Sequence, residues 1–357
     1  MPAMIEQYKQ AWDELTAPGA QFATKVIEVR GVPIKVFESA LPTMRTVWEM
    51  ARGYGDRDYV VYEDERYTFA ESDAIIRALA ARLIDVHGVQ PGDRVVAYLP
   101  NIPEAMVAFL AVASIGGIWS ICAPDMGTNA VLDRFRQIEP VVLIACDGIT
   151  YGGRDVDRTE VVQQLLAALP TVRHTLVHHH LQAANATDSI AARAVFERAV
   201  ARNDAETGAF EPLWLPFDHP LWIVYSSGTT GLPKPIVHGH GGTVIVALAL
   251  KTLHNDIGCS YAANSWGERF HWYSSTGWVM WNAQMSGLLN GTTCCLYDGN
   301  PGGSKERPDW TTLWRFAAKM GVTFFGAGAA FFASCMKVGV DLSQVGDLSS
   351  IRALGTT

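Results

Sequence analysis

Nine residues in the middle of the chain have the composition of a loop that binds phosphate. Residues 226–234 read Ser-Ser-Gly-Thr-Thr-Gly-Leu-Pro-Lys. Glycine lets backbone N–H groups approach an anion, hydroxyl side chains donate hydrogen bonds to phosphate oxygens, and lysine supplies a positive charge. These residue types at this spacing indicate an anion-binding loop.

An ordinary polar loop is the competing interpretation, because Ser, Thr and Gly are common between a strand and the next element. Composition alone does not separate the two interpretations. A P-loop NTPase is disfavoured, since Gly231 is followed by Leu-Pro-Lys and not by Gly-Lys and a hydroxyl residue.

The full order of residues 225–234, Tyr-Ser-Ser-Gly-Thr-Thr-Gly-Leu-Pro-Lys, resembles the signature loop of the adenylate-forming (AMP-binding) superfamily, which includes acyl-CoA synthetases, luciferases and adenylation domains. Pro235 stands where that family usually has glycine or alanine. Together with the following Ile-Val-His-Gly-His-Gly-Gly, it is similar to the acetoacetyl-CoA synthetase branch. Three further segments resemble the same branch: residues 133–140, 270–282 and 294–302. The resemblance runs from about Gly88 to the last residue.

The resemblance implies an ATP-dependent acyl-CoA ligase that activates a short carboxylic acid, acetoacetate by preference, as acyl-AMP and transfers it to coenzyme A. A carboxylate must approach a polyanion in this reaction, so fixed donors and Mg²⁺ have to offset the repulsion. The resemblance assigns the β- and γ-phosphates of ATP and the departing pyrophosphate to Ser226, Ser227, Gly228, Thr229, Thr230, Gly231 and Lys234. Thr229, Thr230 and Lys234 are expected to be the principal donors.

Two further sites follow from the resemblance. Trp278, Val279 and Met280 match the family's acyl-pocket segment, where bulky side chains favour a short acid such as a four-carbon keto acid; the competing interpretation is an aromatic helix start that packs in the core. Arg154 matches one arginine that meets the CoA nucleotide in acetyl-CoA synthetase relatives, and Tyr151 replaces the other. A solvated surface arginine is the alternative there.

Strands and helices alternate after residue 90, which predicts parallel sheets covered by helices. The expected strands are 94–99, 118–122, 141–145, 221–225, 292–297 and 322–325, and the expected helices are 130–138, 242–253, 278–289, 310–320 and one from Pro103. With the resemblance, the fold class is α/β, namely the large N-terminal domain of adenylate-forming enzymes with two helix-covered parallel or mixed sheets.

The polar stretch 182–212 is the predicted subdomain boundary. We expect an N-terminal extension at 1–45, a first α/β subdomain with its connection at 46–212, and a second at 213–357 that carries the phosphate loop. Residues 351–357 resemble the strand and turn that enter the adenine-binding motif, which assigns Thr357 to the substrate. The expected remainder, including a small C-terminal domain, would follow Thr357, so the chain is interpreted as the N-terminal part of a longer enzyme.

The net charge and the distribution of apolar residues disfavour some classes of partner. The chain has 357 residues, with 28 basic and 36 acidic side chains, for a formal charge of −8. This charge disfavours nucleic acid and anionic membranes. The uncharged stretch 105–124 is broken by Gly116 and Gly117, and Asn101 is a plausible cap for the helix before them, so a buried helix and strand are expected and not a membrane span. With no secretory signal visible, a cytoplasmic location is expected.

Cysteines and histidines show no metal-binding pattern. The six cysteines have no Cys-x-x-Cys spacing, which favours free thiols buried in apolar runs. His178, His179 and His180 are expected in a solvated loop or strand end. His238 and His240 are expected to point the same way on a strand as packing or orienting groups.

Two other functions stay open on the sequence alone. The chain could be a fragment or binding module that keeps the fold without activity, which weak or absent ATP binding would indicate. It could also belong to another adenylate-forming enzyme, for which the preferred acid and the acceptor are the discriminating observations.

Overall fold

The computed structural model describes residues 2–41, 43–181, 193–226, 231–257, 268–284 and 287–357. Its strands in chain order are β1 (Thr24–Val29), β2 (Val32–Phe37), β3 (Asp58–Tyr62), β4 (Glu65–Thr68), β5 (Arg94–Tyr98), β6 (Ile118–Cys122), β7 (Val142–Cys146), β8 (Gly148–Tyr151), β9 (Arg154–Asp157), β10 (His174–His178), β11 (Arg193–Val195), β12 (Pro220–Ser226), β13 (Lys234–Gly239), β14 (Arg269–Trp272), β15 (Thr293–Leu296), β16 (Phe324–Ala327) and β17 (Ala353–Thr356).

The helices cover these strands. They are α1 (Pro2–Thr16), α2 (Met44–Arg52), α3 (Phe69–Asp85), α4 (Pro103–Ser114), α5 (Thr128–Phe135), α6 (Thr159–Ala168), α7 (Phe196–Val200), α8 (Ala205–Ala209), α9 (His240–Leu248), α10 (Val279–Gln284), α11 (Gly287–Asn290), α12 (Thr312–Met320) and α13 (Ala329–Val338). A 3₁₀ turn at Arg136–Ile138 follows α5, and a π-helical turn at Ala249–His254 follows α9. The predicted helices and strands are present, with ends that differ by a few residues, and the predicted helix over 278–289 is described as α10 and α11.

The first sheet has the strand order β11-β10-β7-β5-β6-β12-β13 among the described residues. All neighbours run parallel except β12 and β13, which form an antiparallel hairpin. Every residue of β6 and β7 is buried. Continuous apolar runs of this kind are expected for central strands that have helices on both faces.

The second sheet has the order β17-β16-β14-β15-β3-β4 over the same described ranges. Its strands are parallel except for the β3–β4 hairpin. The predicted class, α/β with two helix-covered mixed sheets, is confirmed. The predicted division at residue 212 does not follow the sheets, however, because β3 and β4 join the second sheet and β12 and β13 join the first; as a division into domains it stays a prediction.

The turn between α4 and β6 shows how local sequence sets the site's framework. Pro103 begins α4, where its missing N–H costs nothing, and Glu104 lies in the first turn. Gly116 then has φ +74°, a conformation that favours glycine, and a Cβ at Gly117 would lie 2.7 Å from Val112 Cγ1.

No helix in the described ranges is long and apolar enough to cross a membrane, and the stretch 105–124 is divided between α4 and β6.

Two predictions about polar residues near these elements are wrong. Asn101 does not cap α4, whose N-cap residue is Ile102; its side chain instead accepts a hydrogen bond from Trp281 Nε1 at 3.1 Å. His238 and His240 do not share a strand, because β13 ends at Gly239 and His240 begins α9. Both histidines still pack as predicted, His240 against His219 and His238 against Trp222.

Candidate active site

The phosphate hairpin, residues 225–234, joins β12 to β13 at the carboxyl edge of the first sheet. Ser226 ends β12 and pairs with Lys234, the first residue of β13. Ser226 is half-buried, whereas Gly231 and Lys234 are exposed. Ser227, Gly228, Thr229 and Thr230 lie outside the described residues, so their assignment to phosphate stays a prediction.

Helix α5 and its 3₁₀ turn hold the two ends of the phosphate hairpin. The Tyr225 hydroxyl donates a hydrogen bond of 2.9 Å to the backbone oxygen of Arg134, whose guanidinium lies 5.7 Å from the Tyr225 ring centre. Gln137 Nε2 donates to the backbone oxygen of Pro233 at 2.8 Å. The sequence marked residues 133–140 only by resemblance, and the structure gives them this supporting role.

Lys234 is available for an anion. Its side chain is exposed, and it forms no ion pair with any residue that the structure describes. In a chain with net charge −8, a free ammonium group at the carboxyl edge of parallel strands is where a bound anion is expected.

The acyl segment, residues 270–282, leads from β14 into α10. Trp278 and Val279 are 42% and 45% exposed. Met280 is half-buried and packs on an apolar cluster that includes Phe270, Trp272 and Phe324. Of the three predicted acyl-pocket residues, Met280 is therefore the one whose side chain faces the core of the second sheet.

The acyl segment lies directly on the first sheet. Thr276 Oγ1 donates to the backbone oxygen of Leu99 at 2.8 Å, just after β5. A Cβ at Gly277 would lie 3.4 Å from Met126 Sδ and 3.7 Å from the backbone nitrogen of Ala123, just after β6. Because β6 is the neighbour of β12, the acyl segment and the phosphate hairpin meet the same sheet edge on adjacent strands.

Asn101 connects the two sheets at this junction. Besides accepting from Trp281 Nε1, its Nδ2 donates to the backbone oxygen of Tyr297 at 3.3 Å, at the end of β15. Asp298 follows Tyr297, and burial raises the pKa of Asp298 to about 6 against a hydrogen bond from the Asn101 backbone N–H. The sequence showed no signal for this connection, since it depends on residues nearly 200 positions apart.

Thr357 follows β17 at the carboxyl edge of the second sheet. Its backbone oxygen accepts a hydrogen bond of 3.1 Å from Ala329 N, at the start of α13, and its side chain is exposed. Its role in substrate binding stays a prediction.

Arg154 lies in the β8–β9 hairpin with Tyr151. Its guanidinium donates to the Glu306 carboxylate, and the two side chains are 73% and 50% exposed. Tyr151 is 47% exposed. The pair is a surface ion pair of the kind that contributes little to stability, which leaves the CoA contact a prediction.

The histidine run ends β10, as predicted, but its three side chains are only 13%, 18% and 16% exposed. His178 Nδ1 lies 2.8 Å from Glu197 Oε1, and although burial opposes it, this carboxylate raises the pKa of His178. His180 Nε2 lies 3.8 Å from Asp298 Oδ2, and burial lowers the pKa of His180. The strand end is confirmed, but the side chains are less exposed than expected because Glu197 of α7 and Asp298, which follows β15, lie beside them.

The described ranges contain no group of three or more His, Cys, Asp or Glu side chains arranged to hold a metal ion. The described cysteines, at 122, 146, 294, 295 and 335, are buried free thiols, as predicted. Cys259 lies outside the described residues.

Comparison with known proteins agrees with this arrangement. Residues 47–357 match the family described as AMP-binding enzyme. The acetoacetyl-coenzyme A synthetase of Rhizobium meliloti (strain 1021) is 38% identical over 319 residues, which cover 86% of this chain and 46% of that protein. The acetoacetyl-CoA synthetase of Danio rerio is 38% identical over 272 residues, covering 75% of this chain and 39% of that protein.

A solved structure shares the fold. The acetoacetyl-CoA synthetase from Streptomyces lividans superposes with a TM-score of 0.78 at 38% identity, over 98% of this chain and 52% of that one. The chain thus spans about half the length of the proteins that it matches. From the family match over most of its length and from this shared fold, the chain belongs to the AMP-binding enzyme family.

Proposed function

We propose that this chain provides the ATP- and acid-binding region of an AMP-forming acid–CoA ligase, with acetoacetate as the acid. The observation that carries the proposal is the contact between the acyl segment and the ends of β5 and β6, beside the strand that leads into the phosphate hairpin. An acid and a nucleotide phosphate can meet there at one edge. The names of the relatives support the choice of acetoacetate.

Each region has a separate task in this proposal. Lys234 and the hydroxyl groups of residues 226–230 bind the phosphates of ATP and the departing pyrophosphate. Met280 bounds the acyl pocket and Trp278 and Val279 flank it, while Thr357 lies toward the nucleotide. Tyr225 and Gln137 orient the hairpin through α5.

Two parts of the proposal rest on family resemblance. Arg154 meets the CoA nucleotide, and this requires its guanidinium to share or leave the Glu306 carboxylate. Mg²⁺ would neutralise phosphate oxygens of bound ATP. Within the described ranges, no cluster of three or more His, Cys, Asp or Glu side chains is arranged to hold Mg²⁺. The cytoplasmic location and a further C-terminal domain as partner are proposals of the same kind.

Acid-dependent exchange of pyrophosphate into ATP tests this function. The assay uses the protein at its natural full length with acetoacetate, acetate, butyrate and longer acids. The proposal predicts exchange that is fastest with acetoacetate. Faster exchange with a different acid would support the ligase activity but replace acetoacetate as the substrate. Exchange with none of the acids would contradict the proposed function.

A further inference from the structure

Lys251 is a buried lysine beside the acyl segment. It lies in the π-helical turn after α9 and is only 3% exposed, although the ammonium group of a lysine ordinarily reaches water. Nζ lies 4.5 Å from the centre of the Phe270 ring. Phe270 belongs to the apolar cluster on which Met280 packs, so the ammonium group borders the proposed acyl pocket.

The surroundings of Lys251 do not satisfy its charge. Among the residues that the structure describes, Nζ has no hydrogen-bond acceptor. Burial lowers the pKa of Lys251 to about 8, while Glu268 acts in the opposite direction. The Glu268 carboxylate itself binds Arg352, whose Nε lies 2.7 Å from Oε1. An ammonium group in an apolar cluster is costly unless an acceptor meets it.

Two more buried polar atoms near this cluster lack partners within the described part of the chain. They are Trp272 Nε1 and Gln284 Oε1. The two side chains are adjacent, since Gln284 Nε2 donates to the Trp272 backbone oxygen at 2.9 Å. Trp272 Nε1 is a donor and Gln284 Oε1 is an acceptor, and unpaired polar atoms of this kind beside an apolar cluster are the groups to which the polar part of an otherwise apolar ligand would bind.

We propose that Lys251 is a specificity-determining residue of the acyl site, whose ammonium group donates a hydrogen bond to the oxo oxygen of a 3-oxo carboxylic acid. The inference rests on the proposed function. The acid's carboxylate lies toward the phosphate hairpin, and its chain extends past Met280 to the cluster around Phe270. A saturated acid of the same length would leave the ammonium group unpaired, so the 3-oxo acid is selected.

A purely structural lysine is the alternative, held by its contact with the Phe270 ring. The two roles differ in what a methionine at this position would do. Methionine fills similar apolar space without a donor, and replacing an unpaired buried charge by an apolar side chain is not expected to unfold the protein. A structural role predicts equal effects on all acids, and the proposed role predicts a change in selectivity.

The test compares acetoacetate with butyrate, which has the same chain length without the oxo group. Pyrophosphate exchange is measured on the full-length protein for the wild type, Lys251→Met and Lys319→Met. Lys319 is the matched control because it is an exposed lysine paired with Asp64. We expect the acetoacetate-to-butyrate ratio of kcat/KM to fall roughly tenfold or more in Lys251→Met and to stay unchanged in the control. An unchanged ratio, or equal losses with both acids, overturns the proposal.

Calorimetric binding of the two acids separates this inference from the proposed function. If the wild type exchanges pyrophosphate with neither acid, the proposed function fails, and binding alone decides the role of Lys251. Tighter binding of acetoacetate than of butyrate in the wild type, lost in Lys251→Met, supports the role. Equal binding of the two acids by the wild type overturns it.

Discussion

The phosphate hairpin and the acyl segment meet at one sheet edge but are built in opposite ways. The hairpin presents an exposed Lys234 and is held through two hydrogen bonds to backbone oxygens, from Tyr225 and Gln137. The acyl segment is anchored by a buried bond from Thr276 and turns Met280 into an apolar cluster. Under the proposed function, phosphate would therefore bind at a solvent-exposed lysine, and the length and polarity of the acid would be recognised in the interior.

Substitutions in the hairpin should therefore change the rate of pyrophosphate exchange without changing stability. Substitutions in the acyl segment should change both selectivity and stability. Lys234→Ala should show the largest effect. Removing a preorganised cation from the phosphate site should slow pyrophosphate exchange roughly hundredfold or more. The midpoint of urea unfolding should not change, because Lys234 is exposed and unpaired among the described residues.

Lys319→Ala is the control, since it also removes an exposed lysine but lies away from the hairpin, beside Asp64. Equal exchange rates in Lys234→Ala and the wild type would contradict the assignment of the hairpin.

Asn101→Ala tests the junction between the two sheets. The change leaves the fully buried Trp281 Nε1 without its acceptor, which should lower the free energy of unfolding by about 1–3 kcal/mol. Urea unfolding measures this effect. The double variant with Trp281→Phe should lose less than the sum of the single variants, because the unpaired donor is then absent. Strict additivity would show that the hydrogen bond does not couple the sheets.

Met280→Ala tests whether the half-buried Met280 side chain limits the length of the acid that the pocket accepts. Shortening a half-buried side chain should cost about 1–2 kcal/mol in unfolding free energy and enlarge the acyl pocket. Exchange with hexanoate should rise relative to acetoacetate, roughly tenfold. Met336→Ala makes the same change at an 82% exposed position in α13, outside the acyl segment, and as the matched control it should alter neither property. A selectivity change in Met336→Ala without one in Met280→Ala would contradict the assignment.

Arg154→Ala should have only a small effect on stability. Its exposed pair with Glu306 is worth about 0–1 kcal/mol, so urea unfolding should barely change. If Arg154 binds CoA, the KM for CoA should rise several-fold in Arg154→Ala and not in Glu306→Gln. Equal KM values for CoA in both variants would remove Arg154 from the CoA site.

The difference between the exposed hairpin and the buried acyl segment also explains which features could be predicted from the sequence. Local signals placed α4 and the turn after it, because Pro103 favours a helix start and Gly116 takes a positive φ. The motif predicted a phosphate-binding segment because the residue types suited to phosphate stand together in nine consecutive positions, 226–234. Local signals could not place β3 beside β15, since Val60 pairs with Cys294 across most of the chain.

The positions of two buried residues, Lys251 and Asn101, could not be predicted for a related reason. Lys251 lies within the predicted helix 242–253, where a lysine ordinarily faces solvent, and only packing against Phe270 shows that it does not. Asn101 resembled a helix cap, but its partners are Trp281 in α10 and Tyr297 just after β15, both far along the chain. Long-range packing determines where both side chains lie.

A crystal structure with acetoacetate and a non-hydrolysable ATP analogue would show whether the phosphate hairpin and the acyl segment form one acid-activating site. We expect the β- and γ-phosphates to lie at Lys234, the acid to pass Gly277 toward Met280, and its oxo oxygen to meet Lys251. The proposal is wrong if the nucleotide and the acid bind away from the ends of β5 and β6, or if the acid points away from α10.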